Sequence, residues 1–313
     1  MRLRPARWRK TLSVAVALLA IGFFIHYAMQ NFAAIPSLNW GGVSAAIGLF
    51  SVALVVFGIG IVGSIWHLLL RDHGLSTSWR QSQTIFAIAQ FGKYLPGNVG
   101  HHVGRVFMAR EVGIPVPITV NTMLVEMFWG VGIAAGLTLL SLLLFVDNRV
   151  LDLQWLLGPV RLGFSVALLL FLPWLGIGFL NRYLPGLVKR LTGEDAIVAP
   201  RLGTALAVAI LFLLCFLMMG LMLKLQAQWF FGVTEGSVFE LTCLFAVAWL
   251  AGYVVPGAPG GLGVREAMMV LLLSPILGAG TAVGLGVTLR VTTTVGDAVA
   301  FLIGLWLRRS LVY

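Results

Sequence analysis

Apolar runs, many near the roughly 20 residues that cross a bilayer, alternate along this chain with short polar or basic breaks. The first run covers residues 12–28 and leads to a charge-free stretch, 29–40. The second covers 43–70 and ends at Arg71, Asp72 and His73. An apolar piece over 84–100 is interrupted by Gly and Pro and followed by His101, His102, Arg105 and Arg110. Longer runs return at 117–146, 162–180 and 203–223. Two shorter ones, 238–255 and 264–277, flank "VPGAPGGLG", and the last run covers 281–307. The pattern predicts an all-α polytopic membrane protein forming a single integral membrane domain over residues 1–313.

Charge placement gives the runs a direction. Arg2, Arg4, Arg7, Arg9 and Lys10 crowd the N-terminus; Arg182, Lys189, Arg190 and Arg201 share one loop; Arg308 and Arg309 follow the last run. Basic residues gather on the cytoplasmic side of membrane proteins, so both termini are predicted to be cytoplasmic. Residues 84–100 then have cytoplasmic flanks on both sides and must dip in and return. Such a re-entrant segment is tolerated where protein or a water-filled cavity covers its free backbone groups. Parity makes "VPGAPGGLG" re-entrant from the outer side. The count is about six full spans plus two re-entrant hairpins; two further crossings in place of one hairpin also satisfy it.

Composition agrees. Of 313 residues, 59% are hydrophobic and 10% charged, against about 25% charged in soluble domains; mean hydropathy is +0.99. The net charge of +10 follows topology rather than a nucleic-acid surface, so no nucleic-acid partner is expected. Residues 12–28 run long for a signal peptide and lack an A-x-A site, which predicts an uncleaved anchor. Cys215 and Cys243 both lie in apolar runs and match no disulfide framework or metal spacing.

The two interruptions match each other. Aligning Pro96 with Pro256 sets Gly97 on Gly257, Gly100 on Gly260 and Arg105 on Arg265, an offset of 256 − 96 = 160. Both copies read P-G-x-x-G-x-x-x-x-R, with Tyr94 and Tyr253 just upstream. Paired Gly/Pro-broken segments in two halves point to a transporter site made from inverted repeats, here roughly 12–146 and 160–307. Pro removes a backbone donor and Gly accepts unusual dihedrals, ending the helix at membrane depth. The next helix offers free N–H groups and a positive dipole end, and the Arg adds a bidentate partner for phosphate. Each copy is a candidate half-site for an anionic headgroup at one cavity. A plain kink with snorkelling arginines is the competing reading.

Further candidates are the ionisable residues at depth, which face the interior and expect partners. Glu126 lies in "TMLVEMFWG"; Arg290 and Asp297 are seven apart and share a helix face. Arg290 with Asp297, or Glu126 with Arg290 or Arg105, would suit a polar cavity, and Glu126 or Asp297 would balance charge or carry a proton. Lys93 could hold a phosphate as a point charge, and Glu266 could cap its helix or neutralise Arg265. Adjacent His101 and His102 point apart on a helix, which argues against a metal site. Gly132 with Gly136, and Gly280 with Gly284, have the G-x-x-x-G spacing of close helix packing. No P-loop, G-x-S-x-G, H-E-x-x-H or D-x-D occurs, and "GGLGVRE" lacks the context of a dinucleotide fingerprint. No cofactor and no enzyme activity are expected.

"GKYLPGNVGHHVGR" and "PGAPGGLGVRE" resemble the paired signatures of the lysylphosphatidylglycerol synthase transmembrane family, also called flippase-like, over roughly residues 40–309. Two-domain members carry a soluble aminoacyl-transferase domain after the membrane half. This chain ends at Tyr313 straight after its last run, so the resemblance does not imply that activity. It does imply that the broken segments border the cavity: Lys93, Tyr94, Pro96, Gly97 and Arg105, then Pro256, Gly257, Gly260, Gly261, Gly263, Arg265 and Glu266. Ala258-Pro259 before the Gly pair departs slightly from the family pattern. The expected function is a lipid flippase of the bacterial inner membrane, moving an anionic or phosphate-bearing headgroup held by Arg105, Arg265 and Arg290. Its partners would be membrane lipids and envelope-biosynthesis enzymes; the substrate and oligomeric state stay open. A scaffold for an envelope glycosyltransferase or lipid-modifying complex, and an integral-membrane lipid transferase, are the alternatives.

Overall fold

A computed structural model of the chain describes residues 22, 25–26, 29–30, 41–94, 100–145, 159–255 and 259–309. The first predicted span and the stretch after it lie largely outside the described residues, as do Pro96, Gly97, Pro256 and Gly257. Among the described residues the fold is helical throughout, with no strand. The helices are α1 (Gly42–Asp72), α2 (Trp79–Gln90), α3 (Gly100–Glu111), α4 (Val116–Phe145), α5 (Pro159–Tyr183), α6 (Pro185–Thr192), α7 (Leu202–Phe231), α8 (Val238–Val254), α9 (Val264–Leu277) and α10 (Ala279–Arg309). Short 3₁₀ turns, Phe91–Tyr94 and Pro259–Gly261, precede α3 and α9.

Four described helices are long and apolar enough to cross a membrane: Gly42–Asp72, Val116–Ser141, Leu202–Phe231 and Ala279–Arg309. The chain is therefore a multi-pass helical membrane protein. α8, at 17 residues, stands at the lower limit of what a full crossing needs.

Local signals set several helix starts. Ser78 caps α2 by accepting from the Gln81 N–H (3.2 Å) while Gln81 Oε1 accepts from the Ser78 N–H (3.1 Å). Ser237 and Glu240 repeat this reciprocal box at α8, so both helices satisfy donors their first turns would leave orphaned. The sequence pattern places the start of the interrupted apolar piece at residue 84. The Ser78 box begins the helix at Trp79 instead.

Contacts divide the chain into two compact units. One comprises residues 1–55, 92–100 and 217–296, the other 56–91, 101–216 and 297–313. In the first, α8 packs on α9, and α7 is held to α10 by polar bonds. Gln226, fully buried, donates through Nε2 to Thr292 Oγ1 (3.2 Å) and accepts from Thr288 Oγ1 (2.9 Å). The apolar run predicted a span over 203–223; with the Gln226 amide satisfied, α7 runs on to Phe231.

Gly220 lets α7 meet α8 closely. A Cβ there would collide with Thr242 Oγ1 and lie 2.8 Å from both the Thr242 nitrogen and the Val238 carbonyl oxygen. Backbone cannot move aside as a flexible side chain can. Gly220→Ala is expected to destabilise the protein by about 1–3 kcal/mol, the usual cost of overpacking. A lowered thermal midpoint in detergent, with Gly203→Ala (open space around its Cβ) unchanged, would register it.

In the second unit α4 packs most extensively on α5, with α6 against both. Gly132 and Gly176 make that contact possible, because Cβ atoms there would reach 2.9 Å from Pro173 Cγ and 2.8 Å from Phe128 Cε1. Gly132 is thus a close-packing glycine, as its small-residue spacing suggested. α1 and α2 are joined by the buried Gln83, whose Nε2 donates to the Gly60 carbonyl and to Ser64 Oγ, both at 2.9 Å.

Candidate functional site

The first unit gathers cationic side chains around a glycine turn. Gly260, Gly261 and Gly263 have φ of 58°, 73° and 82°, a left-handed region that residues with a Cβ rarely adopt. This run of positive φ turns the chain into α9 within a few residues. Gly261 also lies against α8, where a Cβ built on Gly252 would stand 3.3 Å from the Gly261 Cα. At the start of α9, Glu266 reaches back so that Oε2 accepts from the Gly263 N–H at 2.7 Å.

Its other oxygen faces two arginines. Glu266 Oε1 lies 3.5 Å from Arg290 Nη1 and 3.7 Å from Arg265 Nη2. These are longer than the 2.7–2.9 Å of tight charge-assisted bonds, so neither guanidinium is locked onto the carboxylate. Arg290 Nη1 also donates to the Gly260 carbonyl at 3.3 Å. Arg290 Nη2 is buried and makes no hydrogen bond among the described residues. Glu266 therefore fills both roles its position suggested, capping α9 and meeting Arg265.

Lys93 and Tyr94 complete the cluster. The Tyr94 ring has Lys93 Nζ 5.4 Å from its centroid and Arg290 Cζ at 5.8 Å, inside the range of cation–π attraction. Tyr94 Oη donates to Thr294 Oγ1 at 3.4 Å, one turn beyond Arg290 on α10. Tyr253, the upstream tyrosine of the other copy, instead stacks on Trp249 within α8 at 4.9 Å.

The second unit treats its arginine differently. Arg105, 3% exposed, makes a bidentate bond to Glu126, with Nη1–Oε2 at 2.7 Å and Nη2–Oε1 at 3.2 Å. Its guanidinium lies 4.4 Å from the Phe86 ring and 5.4 Å from the Trp66 ring. Trp66 is itself fixed through Nε1 to Thr122 Oγ1 at 3.1 Å. Of the two partners the sequence offered Glu126, Arg105 is the one it meets. The aromatic box could not be read from the motif, because Trp66 stands 39 positions before Arg105.

The two motif copies are thus built differently. The first α-helix after the motif begins at Gly100 in one copy and at Val264 in the other, four positions later on the 160-residue offset. Arg105 lies in the second turn of α3; Arg265 lies in the first turn of α9. His101 and His102 open α3 with their rings 3.8 Å apart, closer than their separation around the helix suggested. Arg290 turns to Glu266 and Gly260, while Asp297, expected beside it, is buried at 2% exposure. Among the described residues no three His, Cys, Asp or Glu side chains group as metal ligands.

In the first unit the Arg290 guanidinium is held beside a glycine turn by contacts of 3.3 and 3.5 Å, a donor geometry chemically suited to an anion. In the second unit the positive charge is matched by a tight carboxylate partner. No curated protein sequence matches the chain. A family model for the lysylphosphatidylglycerol synthase TM region matches residues 10–300, a stretch that contains both motif copies, Glu126 and the whole Arg290 cluster. The chain belongs to the lysylphosphatidylglycerol synthase TM-region family.

Proposed function

We propose that the protein has a membrane-lipid function as a translocase, moving an anionic or phosphate-bearing lipid headgroup across the bacterial inner membrane. The observation that carries this reading is the cluster of Arg265 and Arg290 around Glu266, set beside positive-φ glycines in a multi-pass membrane protein. Ionisable groups at membrane depth are costly and persist where they serve a pathway or a partner. Guanidinium groups suit phosphate because their planar donors fit two oxygens at once. The family supports the lipid part of the reading, since its name refers to a lysylphosphatidylglycerol synthase. Arg105 serves a different purpose: its guanidinium is committed to Glu126, which makes it a structural cation.

Lipid analysis of each leaflet in a strain lacking the protein identifies the substrate and separates transport from synthesis. The reading predicts one anionic lipid depleted from the receiving leaflet at unchanged total amount. In proteoliposomes, Arg265→Ala should slow translocation of that lipid while the protein stays monodisperse and folded. Unchanged translocation in that variant removes Arg265 from the site. A changed total lipid amount in the deletion strain favours a transferase instead.

A further inference from the structure

We propose a second lipid site on the second unit, independent of transport: a groove between α5 and α7 that holds one acyl chain of an anionic phospholipid, with the phosphate at Arg201. Phe171 and Trp174 of α5 form one wall, Leu202 and Leu206 of α7 the other, and Pro200 joins them. Their spacing, i to i+3 and i to i+4, brings each pair onto one helix face. The open groove offers about 410 Å³, and its surface is almost wholly apolar.

The groove is rigidly built. Trp174 meets Trp129 edge-on at 5.0 Å between centroids. Trp129, 1% exposed, donates through Nε1 to the Ala205 carbonyl of α7 at 3.1 Å. That bond ties the Trp174 wall to the backbone of the opposite wall. Yet Phe171 and Leu202 are 60% and 67% exposed. At bilayer depth such an opening meets hydrocarbon, and an alkyl chain fits an apolar slot without leaving a polar group unpaired.

Charge at the rim selects the lipid. Arg201 lies between groove residues Pro200 and Leu202 in sequence, and its side chain is 85% exposed. Asp72 fixes the backbone there, its Oδ2 accepting from the Arg201 N–H at 2.8 Å and its Oδ1 from Thr204 Oγ1 at 3.0 Å. The Arg201 guanidinium is only loosely engaged by Asp72, with Nε 3.8 Å from Oδ1. With its side chain largely exposed, Arg201 can meet a phosphate beside the groove residues that flank it in sequence. Arg182 and Arg190 lie in the same basic segment, adding attraction for an anionic headgroup over a zwitterionic one, while Lys189 is paired with Asp195 at 2.8 Å.

The test uses the full-length protein in nanodiscs carrying phosphatidylglycerol or phosphatidylcholine with brominated acyl chains, which quench tryptophan on contact. The chain has 10 Trp, so the signal of Trp174 is taken as wild type minus Trp174→Phe. We expect at least twofold stronger quenching of that signal by the brominated phosphatidylglycerol than by the brominated phosphatidylcholine. Leu206→Phe, which fills the groove, should remove the quenching, and Arg201→Gln should equalise the two lipids. Equal quenching by both lipids in the wild type would mean unselective annular lipid and would overturn the proposal. So would quenching that survives Leu206→Phe, or a preference that survives Arg201→Gln. Failure of translocation in the preceding experiments leaves these outcomes untouched.

Discussion

Glu126→Leu is expected to destabilise the protein by about 3–5 kcal/mol, and Arg105→Met by a similar amount, whereas the two substitutions together should cost far less than either. Removing one partner of a buried ion pair leaves the other charge without compensation, and that penalty is larger than the net worth of the pair. Here Arg105 is 3% exposed and Glu126 13%, so water cannot replace the lost partner. The double variant removes both charges. Its methionine would pack between Phe86 and Trp66, where sulfur–aromatic contact is favourable. Unfolding of the purified protein in detergent, by heat or denaturant, would measure the cycle. A double variant as unstable as the worse single variant would show that Arg105 and Glu126 act through partners other than each other.

Arg290→Ala is expected to lower headgroup translocation about 10–100-fold with little loss of stability. The magnitude follows from losing a hydrogen bond to a charged group, about 1.5–3 kcal/mol. Arg290 is joined to its own protein by weak contacts, 3.3 Å to the Gly260 carbonyl and 3.5 Å to Glu266. Its buried Nη2 has no bond among the described residues to lose. Arg290→Lys would keep the charge but not the planar fork, so it should recover only part of the rate. A rate unchanged in Arg290→Ala, measured with the same vesicles, would place the headgroup elsewhere.

The helices were readable because hydrocarbon-length apolar runs leave few alternatives. Predicted residues 43–70, 117–146 and 281–307 became Gly42–Asp72, Val116–Phe145 and Ala279–Arg309, shifts of one or two residues at each end. Departures came where a side chain found a partner. The apolar run ended at residue 223, yet Thr288 and Thr292 satisfy Gln226 and the helix continues past it. The Ser78-x-x-Gln81 box was visible in the sequence and would have moved the start of α2 to Trp79.

The site was legible as a location more than as a set of bonds. The glycine run before Arg265 predicted unusual dihedrals, and Gly260, Gly261 and Gly263 have them. Sharing a helix face did not select Asp297 as the partner of Arg290. Seven residues of helix span about 10.5 Å along the axis, and Glu266 is near enough to reach. Nor did the matched motif predict matched chemistry. Identical spacing put Arg105 into a neutralised aromatic box and Arg265 onto a carboxylate shared with Arg290, because residues far outside the motif, Glu126 and Arg290, supply the contacts.

We propose that the Arg265–Arg290 cluster of the first unit handles the headgroup and that the tight Arg105–Glu126 pair is structural. This is tested most directly in sealed vesicles by following the leaflet of a headgroup-labelled anionic lipid. Wild type, Arg290→Ala and the Arg105→Met/Glu126→Leu double variant would be compared at equal protein density. Wild type and the double variant should transfer the lipid at similar rates, and Arg290→Ala at about a tenth of that rate or less. Equal rates for Arg290→Ala and wild type, with the double variant alone inactive, would contradict it.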